Sequence, residues 1–354
     1  MKENYRIQEL DALRGAAALM IVLFHFSIGR YLPMNFSYLR LANTGVELFF
    51  MISGFVIFMT LKRGNNGREF IVNRVSRLYP TYCTVVSLTT LLVIINTAIQ
   101  HVDSQTVSLM QYLGNMTMFQ RYLNVADIDG PYWTMLVEMI FYLFMLGLFY
   151  LNLLKKARQI GIIVSIATAI FSQAFLGKPI LDSVLFYFPL LPYLPLFVNG
   201  IIFYNIYAKE ETLNNKKFSI ILMVICQIIL HSCIRNSGYT TQLEYGCIII
   251  LITGIFALFV DNRLLFIVSK PTLFLGKISY PLYLVHQYLS VNFIIPNLMQ
   301  RMHFRFIPSC FIALIIVIAI SFLIAEYVEI PARRIIKTYL LNRRAAGNAK
   351  TILQ

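Results

Sequence analysis

Charge is scarce in this chain of 354 residues: Asp, Glu, Lys and Arg make up only 13% of it. An ordinary soluble domain carries about a quarter, so that class is excluded. Acids are scarcer than bases, 16 Asp and Glu against 30 Lys and Arg, for a formal net charge of +14. Cysteine is sparse too. Cys83, Cys226, Cys233, Cys247 and Cys310 are odd in number, lie in or beside apolar runs and lack metal-ligand spacing. They read as small core residues, and no metal is expected. The sequence shows no short secretory leader with a small-residue cleavage site and no internal repeat between its halves. The first apolar run is therefore expected to be a retained helix, with no soluble domain appended.

Hydrocarbon is abundant. Hydrophobic residues make up 58% of the chain, and its mean hydropathy is +0.70. Repeated apolar stretches of about 20 residues mark an all-α, polytopic membrane protein. Ten spans are expected, near 10–28, 42–61, 79–99, 131–153, 160–176, 184–206, 218–234, 243–260, 273–298 and 306–328. The sixth carries Pro189, Pro192 and Pro195 and is expected to be kinked or broken. Of the 30 Lys and Arg, 22 fall on the side of the N-terminus, of loops 62–78, 154–159, 207–217 and 261–277, and of the tail. Seven fall on the other side, and Arg14 lies in the membrane. The split predicts that both termini are cytoplasmic. It also explains the net charge through topology and anionic headgroups, so no nucleic acid or other polyanion is needed as a partner.

Against this background the intramembrane polar residues stand out. Arg14 and His25 are eleven helical steps apart, about 1100° and ~16 Å, so they share one face of the first helix at different depths. An arginine in a hydrophobic segment costs roughly 2.5–3.5 kcal/mol on insertion scales and usually has a function. Glu47 falls about 7 Å and Glu138 about 10 Å below the outer surface at ~1.5 Å per residue, and His286 falls near mid-depth. Arg74 and Arg77, three residues apart, share a helix face at the inner surface. Cations therefore collect inside and acid–base groups in the outer half. Arginines suit a polyphosphate carrier held from the cytoplasm. A histidine supported by a carboxylate suits proton abstraction from a hydroxyl.

Each residue has a plainer alternative. Arg14 can snorkel to the interface, His25 can be a satisfied packing histidine, and Glu138 can be structural. Glu47 can pair with Arg30 or Arg40, Arg74 and Arg77 can be topology charges, and His286 can be core or site. His231 and Glu244 read as structural, and His101 and His303 as loop or interface residues. Glu326 and Glu329, beside Arg333 and Arg334, read as structural ion pairs. A proton-coupled transporter of a sugar or anionic solute would also use intramembrane Arg, His and Glu with a broken helix. The missing repeat and the sorting of charge by depth count against it. A glycan polymerase or flippase would be expected to have a larger outer loop.

Taken together, the motifs resemble those of the acyltransferase-3 family of integral-membrane acyltransferases, over residues ~5–340. They run in order: Leu-Asp-Ala-Leu-Arg14-Gly through Phe-His25, an Arg-x10-His signature; Gly45-Val-Glu47 through Ser53-Gly54-Phe, with Glu47 where the family commonly has aspartate; Arg74-Val-Ser-Arg77-Leu-Tyr-Pro80, an R-x-x-R element; Trp133-Thr-Met-Leu-Val-Glu138; Gly276-Lys-Ile-Ser-Tyr280-Pro-Leu-Tyr283-Leu-Val-His286; and Glu329-Ile-Pro331. Met139 stands where O-antigen-type members often carry a second glutamate. The resemblance implies a transmembrane acyltransferase domain over 1–340 and a basic cytoplasmic tail over 341–354, in a bacterial cytoplasmic (inner) membrane. It also implies acyl-CoA, usually acetyl-CoA, as donor, and as acceptor a glycan or lipid-linked sugar hydroxyl. Arg14, Arg74 and Arg77 would bind CoA phosphates. His25 would be the general base, oriented by Glu138 or Glu47. Trp133, Ser53, Tyr283 and His286 are substrate-contacting or structural candidates; Ser53 is either a covalent relay or a packing residue.

Overall fold

A computed structural model describes residues 7–28, 34–64, 66–100, 106–235 and 237–351, with the side chains of 34–38, 100 and 342–351 left undescribed. Lys2, Arg6, Arg30, His101 and the side chains of Arg343, Arg344 and Lys350 lie outside the described residues. Those residues form helices and turns, with no strand. In chain order the α-helices are α1 (Gln8–Ile28), α2 (Gly45–Arg63), α3 (Gly67–Gln100), α4 (Leu109–Met116), α5 (Tyr132–Tyr150), α6 (Ala157–Ala174) and α7 (Pro179–Tyr187). They continue with α8 (Leu194–Tyr207), α9 (Leu213–Ile229), α10 (Gln242–Val260), α11 (Lys270–His286), α12 (Ile295–Arg301), α13 (Phe306–Ile324) and α14 (Ile330–Thr351). Two π-helical segments, Gln287–Ile294 and Ala325–Glu329, join α11 to α12 and α13 to α14.

Among the described residues eight helices are long and apolar enough to cross a membrane, and a ninth span is a bent pair. That pair, Pro179–Tyr187 with Leu191–Tyr207, bends by 83° at the proline-rich break expected for the sixth span. The ninth expected span, 273–298, is not one continuous α-helix, because the π-helical segment interrupts it after His286. Two boundaries also differ. The third helix begins at Gly67 and runs through Pro80, so most of the expected loop 62–78 is helical. The last span continues through its own π segment into α14, so residues 341–351 extend a helix.

The chain divides into two compact units, Met1–Lys62 with Thr134–Ser279, and Arg63–Trp133 with Tyr280–Gln354. In the first unit, small residues bring backbones together, as expected where lipid removes the hydrophobic drive between helices. A Cβ on Gly15 would sit 2.7 Å from the Gly276 nitrogen, and one on Gly276 would sit 2.2 Å from the Asp11 carbonyl oxygen, so α1 and α11 touch along their backbones. A Cβ on Gly54 would sit 2.1 Å from the Phe197 carbonyl oxygen, and one on Gly200 2.2 Å from that of Met51, seaming α2 to α8. Aromatic rings fill the space beside this seam: Phe197 packs on Phe141 at 4.2 Å and on Phe50 at 5.0 Å between centroids. Thr241 and Glu244 start α10 with a reciprocal capping box.

In the second unit the connection between α4 and α5 is tied down by its own side chains. Buried Asn115 donates to the carbonyls of Gln111 and Ala126, each at 2.9 Å, and accepts from the Ile128 amide at 3.0 Å. Gln120 donates to Asp127 at 2.7 Å. This segment delivers Asp129, Gly130 and Pro131 against the end of α11.

Candidate active site

In the first unit, α1 carries Arg14 and His25, both half-buried. The Nδ1 of His25 lies 2.9 Å from the Ile21 carbonyl oxygen, one turn back. A carbonyl only accepts, so Nδ1 carries the proton and donates. In the neutral ring Nε2 is then the basic nitrogen. The ring is held at Nδ1 by the backbone of its own helix. Phe24 packs edge-on against His25 at 4.8 Å and against Tyr239 at 5.0 Å.

Glu138 is joined to another residue from the motifs. Ser53 on α2 donates its hydroxyl proton to Glu138 Oε1 at 2.9 Å, and Tyr142, one turn further along α5, donates to the same oxygen. Two hydroxyls on one carboxylate oxygen fix its position. The sequence reading missed Tyr142, although its four-residue spacing from Glu138 on one helix was a usable signal.

Glu47, in the first turn of α2, is only 4% exposed. It is within hydrogen-bonding reach of the Tyr245 hydroxyl, which itself accepts from Gln227 at 2.8 Å. Its Oε2 has no hydrogen-bond partner among the described residues. Arg40 pairs with Glu244 rather than Glu47, through contacts of 3.0 and 2.6 Å in a two-pronged bridge, and also donates to the Tyr239 carbonyl. Glu244 thus serves Arg40 and the α10 cap. His231 Nε2 lies 2.9 Å from the Thr240 hydroxyl.

In the second unit, Arg74 and Arg77 lie inside α3, and the Arg74 guanidinium sits 5.6 Å over the Phe70 ring. Tyr280 donates to the Leu78 carbonyl at 3.0 Å, placing that motif residue beside the arginine element. α14 packs on the same helix, and the charge of its Lys337 interacts with Arg333, Arg74, Arg77 and Glu69. The sequence reading had counted Lys337 only as a topology charge, and Arg333 as a topology charge beside Glu326 and Glu329 in a structural ion pair.

His286 ends α11 and is 0% exposed. Its Nδ1 lies 2.8 Å from the Tyr283 carbonyl oxygen, the same backbone tether found at His25. Immediately after it the helix widens into the π form, a feature frequent at functional sites. Ser290 donates back to the His286 carbonyl. Three consecutive residues clasp this break. Asp129 accepts the Tyr288 amide at 3.1 Å and the Gly130 amide at 2.8 Å. A Cβ on Gly130 would overlap the Gln287 amide group. The Tyr283 hydroxyl donates to the Pro131 carbonyl at 3.4 Å. Burial pushes the Asp129 carboxyl up to about 7 despite those two amides. Trp133, half-buried, follows in the first turn of α5. His303 takes a left-handed backbone with φ 55° in the exposed turn after α12.

No group of three His, Cys, Asp or Glu that could hold a metal occurs among the described residues. The chemistry on offer is imidazole, carboxylate, hydroxyl and guanidinium: a base, its polar support, and anion-binding cations.

Comparison with known proteins bears on what this set serves. A protein of Acidianus two-tailed virus, provisionally named acetyltransferase ORF330, is 24% identical over 297 residues, covering 81% of this chain and 84% of that one. A protein of Bacillus subtilis (strain 168), provisionally named peptidoglycan O-acetyltransferase YrhL, is 28% identical over 151 residues, 39% of this chain and 23% of its own length. No solved structure matches. A family profile described as an acyltransferase domain, Acyl_transf_3, matches residues 7–326, from the start of α1 to the π segment before α14. This multi-pass membrane protein therefore belongs to the acyltransferase-3 family.

Proposed function

We propose that the protein is a membrane O-acyltransferase that moves an acyl group, most simply acetyl, from cytosolic acyl-CoA to a hydroxyl of a cell-surface or lipid-linked glycan. The observation that carries this reading is the tether at His25. With Nδ1 bonded to the Ile21 carbonyl, Nε2 is the nitrogen able to take a proton. The family membership supplies the reaction class, and the name of the Bacillus relative supports an O-linked glycan acceptor.

In this mechanism Arg14, Arg74 and Arg77 bind the donor's phosphates, with both termini on the cytoplasmic side. The pantetheine arm carries the thioester toward His25. Nε2 removes the proton from the sugar hydroxyl as its oxygen attacks the thioester carbonyl. The tetrahedral adduct collapses, the C–S bond breaks, and the CoA thiolate takes up the proton from the imidazolium. Glu138, fixed by Ser53 and Tyr142, stabilises the transient positive charge, and transfer is direct.

The test uses purified protein in nanodiscs with radiolabelled acetyl-CoA and a glycan acceptor. CoA release coupled to acetyl-glycan formation, lost in His25→Ala, is expected. Vectorial solute uptake by reconstituted protein with no thioester cleavage would overturn the reading in favour of a transporter.

A further inference from the structure

The start of α3 and the later part of α14 are fixed in register by one contact: Arg68 donates to the Leu340 carbonyl at 3.1 Å. The π segment Ala325–Glu329, which precedes α14, also packs on α3. If the two helices ran parallel, that segment would lie beyond the beginning of α3, which starts at Gly67. They are therefore antiparallel. Residues before Leu340 on α14 then face residues after Arg68 on α3. Arg74 and Arg77 lie about 9 and 13 Å along from Arg68, and Lys337 and Arg333 about 5 and 10 Å back from Leu340, at ~1.5 Å per residue. Positions 333 and 337 share one face of α14, as 74 and 77 share one face of α3.

Four cations therefore share this stretch of the α3–α14 contact, with Glu69 as the carboxylate acting on Lys337. Like charges at such spacing repel, and a ligand carrying several phosphate oxygens relieves the repulsion with charge-assisted hydrogen bonds. Lys337 is half-buried on the packed side of the helix, whereas Arg333, one turn before it, is exposed, as are Arg334 and Ile335. A purely topological charge would need no such placement.

We propose that Arg333 and Lys337 are donor-binding residues that complete, with Arg74 and Arg77, a site for the phosphate esters of the acyl donor. This deepens the function proposed above and rests on it. The same chemistry could be supplied by anionic lipid headgroups, so the experiment separates the two sources.

Full-length wild type and an Arg333→Ala/Lys337→Ala variant are compared in nanodiscs with acetyl-CoA and with S-acetylpantetheine, which carries no phosphate. The expected result is a KM for acetyl-CoA raised about tenfold or more, with kcat nearly unchanged, and unaltered kinetics with S-acetylpantetheine. Arg333→Lys/Lys337→Arg is expected to restore most of the acetyl-CoA affinity. An unchanged KM for acetyl-CoA overturns the proposal. So does an equal loss with both donors that depends on phosphatidylglycerol in the nanodisc, which assigns the cluster to lipid. If wild type cleaves neither thioester, the function reading fails, and equilibrium binding of CoA decides this one separately. Affinity lost in the alanine variant supports the phosphate site, and equal affinity overturns it.

Discussion

The two compact units hold different kinds of polar group. The first carries His25, Ser53, Glu138 and Tyr142, satisfied by one another or by a backbone carbonyl, and Glu47, buried beside Tyr245, all set among apolar helices. The second carries Arg74 and Arg77 with Arg333 and Lys337, cations near the start of α3. Proton transfer needs groups held in fixed geometry away from bulk water, because a loosely placed base is a poor one. Phosphate binding needs charge that water can reach. The sorting by sign that the sequence suggests is therefore in large part also a sorting by unit, with Arg14 in the first unit and Asp129 and His286 in the second as the exceptions.

The largest effect expected from breaking the contrast is at His25. His25→Ala should lower kcat by about 10²–10⁴-fold and leave the KM for acetyl-CoA near wild type, whereas Arg77→Ala should raise that KM and spare kcat. A His25 variant that lost donor affinity instead would erase the distinction between the units.

Next comes the Ser53–Glu138–Tyr142 cluster. Glu138→Ala leaves two hydroxyls without their acceptor and should lower turnover about ten- to a hundredfold, while Glu138→Gln, which keeps an oxygen for them, should lose less. Ser53→Ala separates direct from covalent transfer. Direct transfer predicts a loss under about tenfold. A loss as deep as that of His25→Ala, with acetylated Ser53 visible by mass spectrometry in the wild type, would make the serine the acyl carrier.

Glu47 should matter less. It is buried beside Tyr245 and leaves Oε2 unpartnered. Glu47→Gln keeps an acceptor for the tyrosine hydroxyl, and turnover should stay within about fivefold of wild type. Steady-state rates of acetyl-glycan formation check this, and a loss comparable to Glu138→Ala would place both carboxylates in the acid–base machinery.

The fold class and nine of the ten spans were legible because lipid forces apolar runs of fixed length. The break in the sixth was legible because prolines signal it. The ninth was not, because a π segment has the same apolar composition as an α-helix and is set by partners distant in sequence, here Asp129 on the Tyr288 amide. The arginine pair was legible from its three-residue spacing. Arg333 and Lys337 were not, since only the antiparallel packing of α14 on α3 brings them to that pair. The tether on His25 Nδ1 was not legible for a related reason. Sequence shows which residues could pair, but a backbone carbonyl four residues back is always present and leaves no mark.

The smallest expected effect on turnover, and the sharpest on stability, concerns the carboxylate of the cationic unit. Asp129 is 5% exposed and accepts two amides, yet burial pushes its carboxyl up to about 7, with Asp127 adding to the rise and Tyr82, Tyr132 and Tyr288 nearby. Between its ordinary value of 3.8 and about 7 the folded protein holds a proton that the unfolded chain releases. Stability from this group is therefore full below pH ~4 and is lost as pH rises through ~7, by the order of a few kcal/mol. In the ionised state both oxygens accept strongly; in the protonated state the hydroxyl oxygen accepts its amide more weakly, loosening the clasp on the π segment. Asp129→Asn removes the titration. Its melting temperature in detergent should fall less from pH 5 to pH 8 than that of wild type, while its turnover at pH 8 stays within about twofold. Parallel melting curves for the two proteins across that range would mean that Asp129 does not titrate there, and that the clasp beside His286 is insensitive to pH.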